Sequence, residues 1–356
     1  MRPPAPWLRR ALDRLDGGVR FEDGRPSLHE DTTRYPAQSW DLRTFIALFP
    51  RESPLRYLNL NVTLGLTGTA FDQTRRRSRR AARDAFDLQL CLEGRGRHAT
   101  EKSCLSVGRD VKYAPDGIDL RVGDRVELEG AWPSYRVRYS LPSEELELSL
   151  DLDAWPGVLW WARLPRGYCH YTTFCTAQVK WRWGDEGASV RLPAIHDHGW
   201  GGTLLPMRAP LRLFRYEVLR LPGDGHALAL RTTGSAGQEL RRAAVVRRGA
   251  EPAAEVARLS ERVLEWDVFS NFEGRPRRVP RRWTGRIECS QGELAYEAVR
   301  ATEPRAVLGD GFLYGFDYEA RWMDAPGEAF EGEGYAEQLG TAWTPAAKGR
   351  DRAVLS

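Results

Sequence analysis

Residues 196–200 read His-Asp-His-Gly-Trp. Three ionisable side chains in a row, followed by Trp200, Gly201 and Gly202, are unusual for a corner that only turns the chain. Asp197 is a candidate acid. A carboxyl in an apolar pocket stays protonated, because burial disfavours its charge, and can then donate a proton. His198 is the candidate to orient that acid or to take a proton from water. Trp200 and Tyr171 could face a developing cation with their rings. Metal binding is the second chemistry to weigh. His196 and His198 have the i, i+2 spacing by which a strand presents two imidazoles on one side. A cupin-type site would add a Glu soon afterwards, and residues 199–205 contain none. Glu217 and His170 are third-ligand candidates with nothing in the spacing to support them, so no metal is expected. Cys169 and His170 are not read as a nucleophile pair, since neighbours on a strand point to opposite faces.

A long hairpin must carry these groups. Tyr171, Thr173, Cys175, Ala177, Val179, Trp181 and Trp183 alternate with His170, Thr172, Phe174, Thr176, Gln178, Lys180 and Arg182. That period of two predicts one long strand with an apolar face. Gly184 to Gly187 supplies the loop. On the return arm Val190, Leu192 and Ala194 share a parity with His196, His198 and Trp200, and Asp197 points the other way unless a bulge near Pro193 or the glycines re-aims it. Trp181 and Trp200 are candidate substrate-binding rings, together with Tyr171. Tyr318 and the carboxylate Glu337, on the last strands, complete the candidate set, with Asp317 weaker.

Composition narrows the class. The 356 residues allow two cores, and 29% charged with 42% hydrophobic residues is ordinary for a globular chain. Lys occurs only at 102, 112, 180 and 348, so all but four of the 53 basic residues are Arg. The net charge of +4 does not call for a nucleic-acid partner. The 13 Trp point to large apolar interiors or a pocket lined with flat rings. Five cysteines, at 91, 104, 169, 175 and 289, show no CxxC spacing, so a reducing compartment is the simpler reading. No run reaches the roughly 18 apolar residues of a membrane span. The N-terminus lacks the apolar core of a secretory signal. A cytoplasmic protein is expected, with peripheral membrane contact left open. No glycine-rich phosphate loop precedes a helix, so no nucleotide cofactor is expected.

Along the chain, Trp7, Leu8, Ala11, Leu12 and Leu15 fit one face of a short helix, in an arm covering residues 1–50. Strand signals begin at Leu55. An Arg cluster at 75–83 interrupts them and reads as a solvated loop or short helix. Tyr135, Val137 and Tyr139 alternate with Arg136 and Arg138, and Leu146, Leu148, Leu150 and Leu152 alternate with Glu147, Ser149 and Asp151. Leucines facing in and cross-strand charge pairs facing out are expected. After a boundary near 200–208 the strands restart. Residues 251–260 read as a short helix or turn, and Arg275–Arg282 as a basic loop. Many short strands with little helical periodicity predict an all-β barrel or sandwich.

Three features together resemble a known superfamily. They are the aromatic hairpin ending in Asp197-His198-Gly199-Trp200-Gly201, two successive all-β halves, and a closing strand with Gly332, Gly334, Tyr335 and Glu337. The chain resembles the hydroxyneurosporene synthase (carotenoid 1,2-hydratase) and AttH-type superfamily, which also includes natural-product Diels–Alderases. That resemblance covers residues 50–340. It implies two tandem lipocalin-like antiparallel barrels, at residues 51–202 and 203–343, behind the arm and ahead of a tail at 344–356. It also implies cofactor-free chemistry on a long apolar isoprenoid or polyene, by acid-catalysed hydration of a C=C bond or by cyclisation. A non-catalytic carrier of a hydrophobic ligand would use the same cavity.

Overall fold

The computed structural model describes residues 18–22, 40–65, 85–113, 118–164, 168–201, 211–234, 239–247, 254–272, 274–290, 292–306, 311–323 and 329–339. The expected helix at 7–15, the Arg cluster at 75–83 and the tail at 344–356 lie outside them.

The described residues are almost entirely β-strand, in two sheets. The first half contains β1 (Arg20–Glu22), β2 (Trp40–Leu48), β3 (Leu55–Leu64), β4 (Ala85–Gly94), β5 (His98–Ser106), β6 (Val111–Tyr113) and β7 (Ile118–Val122). It continues with β8 (Val126–Ala131), β9 (Ser134–Leu141), β10 (Leu146–Ala154), β11 (Val158–Leu164), β12 (Tyr168–Trp183) and β13 (Glu186–Gly201). The second half contains β14 (Leu211–Leu221), β15 (Gly225–Gly234), β16 (Glu239–Arg247) and β17 (Ala254–Ser270). It ends with β18 (Pro276–Cys289), β19 (Gly292–Arg300), β20 (Gly311–Trp322) and β21 (Phe330–Leu339).

Strands β14 to β21 form a closed eight-stranded barrel, each pairing with the next and β21 returning to β14. The first sheet runs β5-β4-β3-β2-β13-β12-β10-β9-β8-β7-β6, with β11 and β1 continuing from the start of β12. It is nearly closed. Across its gap the Tyr139 hydroxyl of β9 and the Arg125 guanidinium both donate to Glu101 of β5. These are the two tandem lipocalin-like barrels.

The alternation read from sequence explains the walls. Leu146, Leu148, Leu150 and Leu152 face the first core with Val137, Tyr139, Val179 and Trp181. Outside, Arg136 bonds Asp151 at 3.0 Å and Glu129 at 2.9 Å, and Arg138 bonds Glu127 at 3.0 Å. Such exposed pairs contribute about 0–1 kcal/mol each, so the buried leucines carry the stability.

Three expectations change. Residues 40–48 are not part of an arm. They form β2 at the centre of the first sheet, between β13 and β3. Residues 254–260 are not a helix or turn but the start of β17, where pairing with β16 and β18 overrides the helix propensity of an Ala-rich stretch. The basic run at 276–282 is not a loop but the start of β18, with Arg277 and Val279 turned inward.

The barrels meet over an apolar seam. Ile46, Leu48, Tyr57, Phe174 and Ile195 of the first pack with Phe214, Tyr216, Val218, Leu228, Tyr335 and Leu339 of the second. Ion pairs rim it, with Arg305 bidentate to Glu93 at 2.9 and 3.0 Å and Arg56 at 2.9 Å from Asp317. Phe174 is fully buried there and stacks against Trp155. Phe174→Ala is expected to destabilise the protein by about 3–5 kcal/mol in chemical denaturation, without changing β-sheet circular dichroism of the folded state.

Candidate active site

Strand β13 is unbroken through the motif. Its register with β12 runs without a shift from Trp183↔Glu186 to Tyr168↔Gly201, and with β2 from Ala194↔Ala47 to Gly201↔Trp40. Neither Pro193 nor the glycines introduce a bulge. Asp197 therefore faces the seam between the barrels, and His196 and His198 face the interior of the first. Asp197 and His198 do not work on one proton from one side. The expectation that His198 orients Asp197 fails for the geometric reason that a regular strand separates neighbours.

On the seam side, Asp197 is paired in register with Thr172 of β12 and Thr44 of β2. The Thr172 hydroxyl donates to Asp197 Oδ1 and accepts from the Trp161 indole Nε1 at 2.6 Å. That relay occupies one carboxyl oxygen. Tyr216 of the second barrel bears on the same carboxyl, with its ring edge-on to Trp161 at 6.0 Å. Asp197 is buried, and burial pushes its pKa up to about 8. The Thr172 hydrogen bond opposes that shift, and the nearby Glu337 charge adds to it.

Glu337 comes from β21 and lies in register with Tyr216. It accepts hydrogen bonds from the Tyr335 hydroxyl at 2.7 Å and from Asn59 Nδ2 at 3.2 Å, and Asn59 also donates to the Tyr335 oxygen at 2.8 Å. Burial raises Glu337 to about 7, with those two donors pulling the other way. Two carboxyls from different barrels thus share one dry seam. Burial raises both above the ordinary carboxylate range.

Inside the first barrel, His198 Nε2 lies 2.8 Å from Asp41 Oδ2 and its Nδ1 3.2 Å from the Tyr171 hydroxyl. Burial alone would raise the Asp41 carboxyl. The charges of His198 and Arg43 outweigh it and hold Asp41 below the usual carboxylate range. Trp200 packs against His198 with ring centroids 4.8 Å apart, and Trp160 meets both Tyr171 and Trp200 edge-on. Burial lowers His196 well below the ordinary imidazole value, and His170 to about 3.

The predicted residues therefore divide. The structure brings Tyr171, His198 and Trp200 together on one face and Asp197 and Glu337 together on the other. Trp181 sits in the wall of the first core, away from both. Tyr318 belongs to the second barrel's core, with its hydroxyl donated to the Arg220 carbonyl. Sequence reading missed Thr172 and Tyr216 on the seam, and Asp41 and Arg43 on β2. Thr172 shares the parity of Asp197 across the hairpin, which is the signal that could have found it. Tyr216 had none, because it comes from the other barrel.

A family model described as "Family of unknown function (DUF6670)" matches residues 70–346. No curated protein matches the chain by sequence. Among solved structures, a protein from Nitrosomonas europaea assigned as AttH is similar with a TM-score of 0.61 at 12% identity. That match covers 96% of this chain and 100% of the other. Kievitone hydratase from Nectria haematococca is similar with a TM-score of 0.60 at 13% identity, over 90% of this chain and 94% of the other. At such identities the likeness establishes the fold.

The raised carboxyls make a stability prediction. Each folded-state value lies above that of an exposed carboxyl, so the stability it contributes is fully present in acid. It is lost as pH rises towards about 7 for Glu337 and about 8 for Asp197. Between about pH 5 and pH 9 the melting temperature of the parent is expected to fall more steeply than that of Asp197→Asn, because the amide has no charge to bury. Parallel pH profiles of the two proteins by calorimetry check this.

Proposed function

We propose that this chain, which belongs to the family of unknown function DUF6670, is a cofactor-independent enzyme that protonates a C=C bond of an apolar substrate and adds water to it. The observation that carries this reading is a carboxyl, Asp197, buried at the junction of two barrels, where burial raises its pKa to about 8. An isolated alkene is a weak base, and protonating it needs an acid that still holds its proton at the working pH in a site where water does not compete for it. That one structural neighbour is named as a hydratase supports the same chemistry.

Asp197 transfers its proton to one alkene carbon and becomes the carboxylate, with Thr172 holding its other oxygen. The second carbon carries the positive charge, faced by the rings of Tyr216 and Trp161. Water attacks that carbon and loses a proton to Glu337, whose carboxylate Tyr335 and Asn59 hold in place. Return of that proton to Asp197 restores the site. The sum is one alkene and one water giving one alcohol. Exclusion of water from the cation would instead let a neighbouring double bond close a ring, so the same acid serves cyclisation. The apolar side chains around Asp197 favour an apolar alkene such as an isoprenoid polyene, and carotenoid-type hydration is the specific case proposed.

Purified protein incubated with isoprenoid polyenes in ¹⁸O-water and analysed by mass spectrometry tests the reading. The expected product has gained one labelled water. Asp197→Asn is expected to lower the rate roughly 10²–10⁴-fold, and Glu337→Gln to lower it less. Binding without conversion, unaffected by Asp197→Asn, would leave a carrier rather than an enzyme. A second expectation concerns positioning: Thr172→Val frees the Asp197 oxygen from its donor. It should reduce kcat and move the upper limb of the pH–rate profile to higher pH while leaving KM nearly unchanged, because the Thr172 hydrogen bond lowers the acid's pKa.

A further inference from the structure

The interior of the first barrel holds a second polar cluster, on the face of β13 opposite Asp197. Arg43 of β2 lies in register with His198 and is 1% exposed. Its Nε is 3.3 Å from Asp41 Oδ1, and the other oxygen of that carboxylate is taken by His198. Asp41 therefore approaches the guanidinium from its Nε side as an ion pair, with no hydrogen bond at Nε. Nη1 and Nη2 are buried without a hydrogen-bond partner. His196 Nε2, on the same face, is also buried without one. The Thr173 hydroxyl donates to the His196 carbonyl at 3.1 Å and lies 3.5 Å from His196 Nδ1.

A guanidinium whose donors are dry and unmatched is costly to a fold. Groups of this kind persist where a ligand supplies the missing acceptors, at the expense of the empty protein's stability. The surroundings specify the ligand's body. His196 is stacked on Phe45 at 4.8 Å, meets Tyr135 at 4.6 Å, and is followed by His198 and then Trp200. This ladder of flat rings ends at Trp200, which is partly exposed, as is its strand neighbour Cys169.

We infer that Arg43 holds the carboxylate of a small planar organic acid inside the first barrel, with the acid's ring system against the His196–His198–Trp200 ladder. The Nη1–Nη2 edge presents two parallel donors at the spacing of carboxylate oxygens. Among the described residues of this cluster Arg43 is the permanent cation, and His196 is held neutral by burial and by the charge of Arg43. Asp41 already balances that charge, so a bound monoanion leaves one net negative charge in the cluster where a phosphate dianion would leave two, and the monoanion is the better match. The site stands apart from the proton-donating seam, since the wall of the first barrel separates them and its ligand need not be the substrate.

Sodium benzoate and benzamide are the probes, because they share shape and differ in charge. Isothermal titration of the full chain is expected to show saturable benzoate binding, on the order of tenfold or more tighter than benzamide. Arg43→Met should abolish that preference, and Arg43→Lys should retain part of it. The melting temperature of ligand-free Arg43→Met should be no lower than the parent's. Equal affinity for the two probes, no benzoate binding by the parent, or an undiminished preference in Arg43→Met would each overturn the inference. Should Arg43→Met fail to fold, the arginine is structural, and the benzoate–benzamide comparison on the parent decides alone.

Discussion

A regular strand between two dry interiors must send consecutive side chains to opposite solvents, and β13 is such a strand. Its full pairing with β12 and β2 leaves no freedom to re-aim His196, Asp197 or His198. Three ionisable groups are thereby sorted into two compartments. The histidines enter the first barrel with Asp41, Arg43 and Tyr171. The aspartic acid enters the seam, where the second barrel closes over it and keeps its proton on. Everything proposed for the chemistry depends on that closure, because the same carboxyl on an exposed strand would be ionised at neutral pH.

The second barrel supplies more than a lid. It contributes Tyr216 and Glu337, and its strand β21 places Tyr335 and Glu337 two residues apart on one face so that Asn59 of the first barrel can bond both. A buried polar network of this kind is costly unless its members satisfy one another. Here the bonds cross from one barrel to the other, so the network also fixes how the two halves dock. The ion pairs at the rim, Arg305 with Glu93 and Arg56 with Asp317, add orientation rather than much energy.

Much of this was legible in the residues. The alternation from His170 to Trp183 gave the long strand, its apolar face and the side on which Asp197 falls. Leucines at 146, 148, 150 and 152 gave a barrel wall with its charge pairs outside. The gaps have physical causes. Residues 40–48 sit between Pro-rich and Arg-rich stretches and are buried on both faces, so they lack the polar alternation that marks a half-exposed strand. Their Asp41 and Arg43 were missed with them. Residues 254–260 are Ala-rich, and only pairing with neighbouring strands makes them extended. The meeting of Asp197 with Tyr216 and Glu337 is a tertiary event between barrels that no local pattern encodes. Trp181 and Tyr318 were chosen as rings on the right kind of strand, and the fold uses both as core.

The protonation state of Asp197 itself is the most direct test. Difference infrared spectroscopy of the parent against Asp197→Asn isolates the stretching band of that one carboxylic acid as pH is varied. The account predicts a protonated band that persists through neutrality and disappears near pH 8. A carboxylate already ionised at about pH 5 would contradict it.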